Sequence, residues 1–201
     1  MLYWISRLFF VAIFKLFFRL KVEGLERLPA KQNFLLVSNH ASFLDPFAIS
    51  AAIPRYIRWI VVDEYFDIAL ARWFLKNLRF IRTKGKTDSR ALHQSLFALK
   101  QGDIVGLFPE GRRTWDGKLG SAYSGMALMA LKSGVPVVPI GISGSFEAWP
   151  RTRKFVKFSP ITVRIGEPID FSAQCEAKIT REALDEVAGK IMSSVKSLLS
   201  E

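Results

Sequence analysis

The chain is predicted to fold as an α/β domain: a mixed, largely parallel sheet flanked by helices, with an amphipathic, membrane-associated helix at the N-terminus. Three observations carry the prediction. Apolar runs of strand length alternate along the 201 residues with segments of helical periodicity. Half of the residues are hydrophobic and only 23% are charged, which excludes intrinsic disorder. The opening twenty residues hold five phenylalanines, with charges only at Arg7, Lys15 and Arg19.

Met1–Leu20 reads as the first helix. At about 100° per residue the three cations fall on one side, within an arc of about 120°. Twenty helical residues extend about 30 Å, enough by length to span a bilayer. Arg7, however, lies a third of the way in. The pattern therefore suits a helix lying in the membrane interface, cations toward headgroups and phenylalanines toward acyl chains. The competing reading is a helix covering the protein's own core. Cations interrupt the apolar run and no small-residue cleavage site follows it, which argues against a cleaved signal peptide.

Phe34–Ser38 is an apolar run of buried-strand type. Phe47–Ile53 is predicted helical, with Asp45 as N-cap and Pro46 at the first helical position. Tyr56–Val62 reads as a strand. Ser89–Lys100 carries Leu92, Leu96 and Leu99 on one helical face, and Gly102 ends it. Ile104–Phe108 is a strand, Ser124–Lys132 a helix ended by Gly134, and Val135–Ile142 a further apolar run. Val156–Ile165 is expected to be a strand or hairpin. Thr180–Leu199 is a long amphipathic helix with Leu184, Val187, Ile191, Val195 and Leu198 on one side. No internal repeat or long linker divides the chain. Two regions are expected: residues 1–21, the membrane-interface helix, and residues 22–201, the α/β domain.

With 29 Lys+Arg against 18 Asp+Glu the formal charge is +11. The mean hydropathy is nevertheless +0.19, at a pI near 10.0. A chain both basic and apolar points to an anionic lipid surface as partner and away from nucleic acid. The lone cysteine, Cys175, excludes an internal disulfide framework and a cysteine zinc site, and reads as a bystander thiol. With two histidines and no close carboxylate cluster, no metal is expected.

Of those histidines, His93 lies off the leucine face of its helix and is expected on the surface. His40 follows the strand at Phe34–Ser38, five positions before Asp45. On one continuous helix the two side chains would diverge by about 140°. On a strand-to-helix turn they can meet, and a carboxylate then fixes the imidazole tautomer and stabilises the imidazolium. The alternative is a capping aspartate beside an incidental loop histidine. Phe108–Thr114 (FPEGRRT) also follows an apolar strand. It offers Glu110, Arg112, Arg113 and Thr114 in one loop, and guanidinium forks suit phosphate oxygens.

Taken together, these segments resemble the glycerolipid acyltransferases. Asn39–Pro46 (NHASFLDP) resembles their H-x4-D motif, FPEGRRT their F-P-E-G-x-R-[ST] motif, and Val135–Ile140 (VPVVPI) their V-P-[IV]-[IV]-P-[IV] motif. Val22–Pro29 and Ile165–Asp170 are similar to the opening and closing segments, so the resemblance runs from Val22 to Asp170, in family order. The branch most resembled acylates 1-acyl-glycerol 3-phosphate, lysophosphatidate, and related lysolipids. The resemblance implies transfer of an acyl group from a thioester, acyl-CoA or acyl-ACP, to a lysolipid hydroxyl, with these donors as co-substrates and no cofactor. His40 would be the general base and Asp45 its partner, acting by direct transfer with no acyl-enzyme. Arg113 would hold the acceptor phosphate, Glu110 would shape the glycerol site, and Arg112 is inferred to be a second phosphate contact. Gly111 and Thr114 complete the substrate-binding loop, and backbone N–H groups near Gly111 or Val135–Ile140 would serve the oxyanion. Work at the cytoplasmic face of the inner membrane follows from where the donors are.

One motif departs from the family pattern. Asn77–Lys86 (NLRFIRTKGK) places Thr83 where the family has an arginine, which leaves Arg82 or Lys84 to substitute, and Arg82 is taken. Arg72, Lys76, Arg79, Arg82, Lys84, Lys86 and Arg90 concentrate positive charge there. Three rival readings remain: acylation of another lysolipid or of glycerol 3-phosphate, a non-catalytic basic membrane-binding module, and a serine hydrolase. The last would need G-x-S-x-G, which Gly141–Ser145 (GISGS) approaches without matching.

Overall fold

The computed structural model describes residues 2–85, 88–174 and 179–200. Lys86 and Cys175 lie outside the described residues. The sheet has seven strands in the order β1 (Lys21–Glu23), β7 (Thr162–Ile165), β6 (Val137–Ser143), β2 (Leu35–Ser38), β5 (Ile104–Leu107), β3 (Ile57–Val62) and β4 (Ile81–Thr83). Neighbours are parallel except β6 with β7, so the mixed, largely parallel sheet expected from the alternating elements is the one found. All four residues of β2 and of β5 are buried, as unbroken apolar runs require when helices cover both faces. Alternation sorts their side chains: Leu36 and Ile104 enter one core layer, while Leu35, Val37, Val105 and Leu107 enter the other.

Helices α1 (Leu2–Phe18) and α2 (Asp45–Ala52) cover the first face. Helices α4 (Ser89–Lys100), α5 (Ser124–Ser133) and α7 (Arg181–Ser197) cover the second. Asp88 caps α4 by accepting from the Arg90 and Ala91 amides, and Thr180 caps α7 through Ala183 N–H. In α7 the expected stripe is the packed one: Val187, Ile191 and Val195 are buried. In α4 the packed face is displaced from the leucine row. Ala91, Ser95, Ala98 and Leu99 are buried, while Leu92 and Leu96 only flank the core, because small residues let this helix approach the sheet. Gly134, at φ 65°, ends α5 in the left-handed conformation.

Several local expectations are corrected. Helix α2 starts at Asp45, ahead of Phe47, and the Asp45 carboxylate does not cap it. Of Val156–Ile165 only Thr162–Ile165 is strand, pairing with β6 and β1. Strands β1 and β4, three residues each, and the nine-residue helix α3 (Ala69–Asn77) are additional. The two three-residue strands are too short to carry a periodicity that sequence can register.

Helix α1 contradicts the expected arrangement of its cations. Arg7 turns inward, its Nε donating to Ile53 O at 3.1 Å and Nη2 to Ala51 O at 3.1 Å. It therefore neutralises the carbonyl end of α2. Phe14 and Phe18 belong to the first core layer, so α1 packs against the body of the chain. The opposite face is also apolar: Trp4, Ile5, Leu8, Phe9, Leu16 and Phe17 are all exposed. Among the described residues no helix is long and apolar enough to cross a membrane.

Gly106, in the middle of β5, bears directly on the site described next. A Cβ there would lie 2.8 Å from Ile57 Cγ2 and 2.8 Å from the Trp59 ring. Gly106→Ala is expected to cost about 1–3 kcal/mol of stability, the usual range for overpacking. Chemical denaturation of the two chains measures it, and equal unfolding midpoints would contradict the tight contact.

Candidate active site

Parallel pairing places the two sequence motifs side by side. Val37 of β2 is in register with Leu107 of β5, so both chains leave the sheet at the same edge. Residues 39–45 and 108–114 emerge there as neighbouring loops, where open α/β sheets build their sites. Asn39 extends β2 beyond its last residue. Its side-chain amide donates to Ile142 O at 2.9 Å and accepts from Ile142 N–H at 2.8 Å, imitating a further peptide of the ladder to β6.

The next residue is His40. Its Nδ1 lies 2.8 Å from Asp45 Oδ2. The same oxygen accepts the amides of Ala41 and Ser42, each at 2.7 Å. Asp45 is fully buried, and three donors on one oxygen offset the cost of burying its carboxylate. Of the two arrangements the spacing allows, the paired one is present, and Asp45 is directed back at the preceding loop instead of capping α2. Nε2 is the ring nitrogen left for the cavity that His40 lines. The imidazole also stacks on Phe108, with centroids 3.9 Å apart and planes 13° from parallel. Phe108 stacks in turn on Trp59 at 5.0 Å and 7°. The ring plane is thus held by two aromatics as well as by the carboxylate.

Loop 108–114 grips the main chain of His40 from both sides. Glu110 Oε1 accepts the His40 N–H at 2.8 Å, and Thr114 N–H donates to His40 O at 2.9 Å. Glu110 Oε2 accepts the Gly120 N–H at 2.9 Å, so both oxygens of this buried carboxylate serve loop backbone. Glu110, expected to shape the glycerol site, holds the backbone of His40 and Gly120. The Thr114 hydroxyl is likewise engaged, with Asp116 at 2.8 Å. Gly111 has φ 66°, and a Cβ would meet the Tyr123 ring at 2.6 Å, so the turn requires glycine. Its N–H donates to Phe108 O and is not available to an oxyanion.

The cavity beside His40 has a volume of about 960 Å³. Arg112, Arg113 and Arg151 line it together with apolar groups, among them Phe10, Phe47, Phe74, Leu75 and Leu78. Arg113 lies 5.9 Å from the centre of the Phe43 ring. His40, Gly111, Arg112 and Arg113 therefore share one cavity. Arg82 is not among its lining residues: it pairs with Asp63 and lies over Phe66, while Thr83 lines the cavity. His93 is exposed, as expected, with Nδ1 on Ser89 O. Ser143 of the GISGS segment accepts from Arg164, 3.2 Å away, and forms no pair with a histidine. Asn39, Phe108 and Trp59 were not read as site residues. The first two adjoin or belong to the motifs, but Trp59 joins them only through the sheet.

Burial raises the Glu110 carboxyl above its ordinary value of 4.5, against the lowering effect of the His40 and Gly120 amides. The folded chain therefore binds this proton more tightly than the unfolded chain does. The associated stability is complete below about pH 4.5 and is lost as pH climbs through the raised value. Unfolding free energy is expected to fall with rising pH across that window relative to Glu110→Gln. Denaturation series of both chains measure this, and parallel curves would contradict it.

Comparison with known proteins shows the family. The Acyltransferase family matches residues 19–143, which contain both loops. A chloroplastic 1-acyl-sn-glycerol-3-phosphate acyltransferase of Arabidopsis thaliana is 33% identical over 76% of this chain. The match spans 44% of that protein, so the chain corresponds to less than half of its plant relative. A 1-acyl-sn-glycerol-3-phosphate acyltransferase of Bacillus subtilis is 25% identical over 90% of both chains. The crystal structure of the 1-acyl-sn-glycerophosphate acyltransferase PlsC from Thermotoga maritima superposes with a TM-score of 0.80 at 28% identity, covering 98% of this chain and 79% of that one. With a paired imidazole and carboxylate at the edge of the sheet and the family match spanning more than half of its length, this chain belongs to the acyltransferase family.

Proposed function

We propose that the chain transfers a fatty acyl group from an acyl thioester, on coenzyme A or acyl carrier protein, to the free hydroxyl of 1-acyl-glycerol 3-phosphate, giving phosphatidate. The observation that carries this reading is the 2.8 Å contact between His40 Nδ1 and Asp45, in a cavity lined by Arg112, Arg113 and apolar side chains among others. An alcohol is a weak nucleophile at neutral pH, so its proton must leave as its oxygen attacks. His40 Nε2 takes that proton while the new C–O bond forms at the thioester carbon. Asp45 stabilises the imidazolium. As the C–S bond breaks, the imidazolium returns the proton to the departing thiolate, and His40 is restored without an acyl-enzyme.

Arg113, with Arg112 beside it, is assigned to the acceptor phosphate, for which guanidinium forks are suited. Thr114 acts through its backbone and Glu110 through the loops it ties together. Arg82 sits on Asp63 outside the cavity lining, so the acceptor contact first assigned to it passes to Arg112 and Arg113. The apolar lining suits acyl chains. The exposed apolar face of α1 supports attachment to a membrane, with the cytoplasmic face assigned because thioester donors are there.

Three measurements test the proposal. His40→Ala is expected to lower kcat by about 10²–10⁴-fold while the chain still folds and binds liposomes; normal turnover would exclude His40 as base. Arg113→Ala is expected to lower kcat/KM by about 10- to 150-fold with a phosphorylated acceptor, chiefly through KM. A fall in kcat alone would place Arg113 on the transition state. With one thioester donor, a panel of lysophosphatidate, glycerol 3-phosphate and other lysolipids should show preference for lysophosphatidate. Turnover of none of them would favour a non-catalytic membrane-binding module.

A further inference from the structure

The segment after α6 (Ser145–Ala148) is given no part in the chemistry above, yet it combines exposed cations with exposed phenylalanines. Residues 151–158, Arg-Thr-Arg-Lys-Phe-Val-Lys-Phe, are all exposed. They hold four cations, and no acidic residue occurs between Glu147 and Glu167. Among the described residues none of these four cations is ion-paired. Phe155 is 74% exposed and Phe158 63%.

The segment is built, not loose. Trp149 Nε1 donates to Arg153 O at 3.1 Å, Arg153 Nη1 to Glu147 O at 2.7 Å, and Lys157 N–H to Ala148 O at 2.8 Å. It also joins two features already described. At one end the Ser42 hydroxyl of the His40 loop donates to Trp149 O at 2.8 Å, and Arg151 lines the catalytic cavity. At the other end the Phe158 ring lies 5.0 Å from Phe17 of α1, extending the exposed apolar face of that helix.

We propose that residues 151–158, with the C-terminal end of α1, form a docking surface for a bilayer rich in anionic phospholipid. Cations alone would suit an acidic protein equally well. Exposed phenylalanines interleaved with them, continuous with an apolar helix face, suit the boundary between headgroups and acyl chains. Docking in this way brings the cavity beside Arg151 to the headgroup level, where a lysolipid acceptor would lie. The inference extends the membrane reading of α1 but does not depend on acyl transfer.

The test is sedimentation of the full chain with vesicles of phosphatidylcholine alone, or with an equal part of phosphatidylglycerol. Lys154→Gln/Lys157→Gln is expected to weaken binding to the anionic vesicles about 30-fold, at about 1 kcal/mol per lysine, and to leave binding to neutral vesicles unchanged. Phe155→Ser is expected to weaken both. All three side chains are exposed, and an unchanged thermal midpoint checks that the variants fold. Leu8→Ser/Phe9→Ser reports on α1 separately. If that variant loses binding while the loop variants retain it, α1 alone is the membrane contact and the proposal is overturned. Intact vesicle binding with a loss of activity confined to an acyl carrier protein donor would overturn it in favour of an acidic protein partner.

Discussion

One carboxylate oxygen organises the site. Asp45 Oδ2 receives the His40 imidazole and two consecutive amides while its residue is fully sealed from solvent. A buried carboxylate must find donors, and the nearest are those of the loop that immediately precedes it. Satisfying them wraps residues 40–45 into a single conformation, with the imidazole held at its Nδ1 edge. Glu110 repeats the device in the adjoining loop, joining the His40 amide to Gly120. Two acidic side chains thereby fix the loop after β2 and the loop after β5, so the geometry around His40 rests on interior hydrogen bonds.

The sheet decides that these loops meet at all. Residues 40 and 110 are seventy positions apart, yet the parallel register of β2 with β5 sends both chains out at the same edge. The same register explains the ring stack. Trp59 in β3 lies opposite Gly106 in β5, and only a residue without a Cβ leaves room for the indole beneath Phe108 and His40. Packing in the interior thus reaches the imidazole through two aromatic rings.

Helix α1 satisfies two apolar demands at once. Its inner face, through Phe14 and Phe18, completes the first core layer, and Arg7 closes the carbonyl end of α2. Its outer face leaves large apolar side chains uncovered, which solvent alone does not favour. The two uses explain a helix apolar around nearly all of its circumference, and they explain why one of its cations is an internal ligand.

Long elements were legible in the sequence because their apolar spacing repeats often enough to register. The α7 stripe and the central strands β2 and β5 fall where periodicity and unbroken apolar runs put them. The His40–Asp45 spacing allowed either a pair or a capping aspartate beside a loop histidine, and it was the likeness of the surrounding motifs that pointed to the pair. Three-residue edge strands, the inward turn of Arg7 and the loop-tying role of Glu110 were not legible. Each depends on what stands across the fold at that point: β7 beside β1, the end of α2 beneath Arg7, the His40 amide against Glu110. By itself the sequence determined which side chains could do the chemistry and in what local order they stand. Only the tertiary structure decided which of them face a shared cavity and which are consumed in holding it, because a buried polar group is assigned its role by partners distant along the chain.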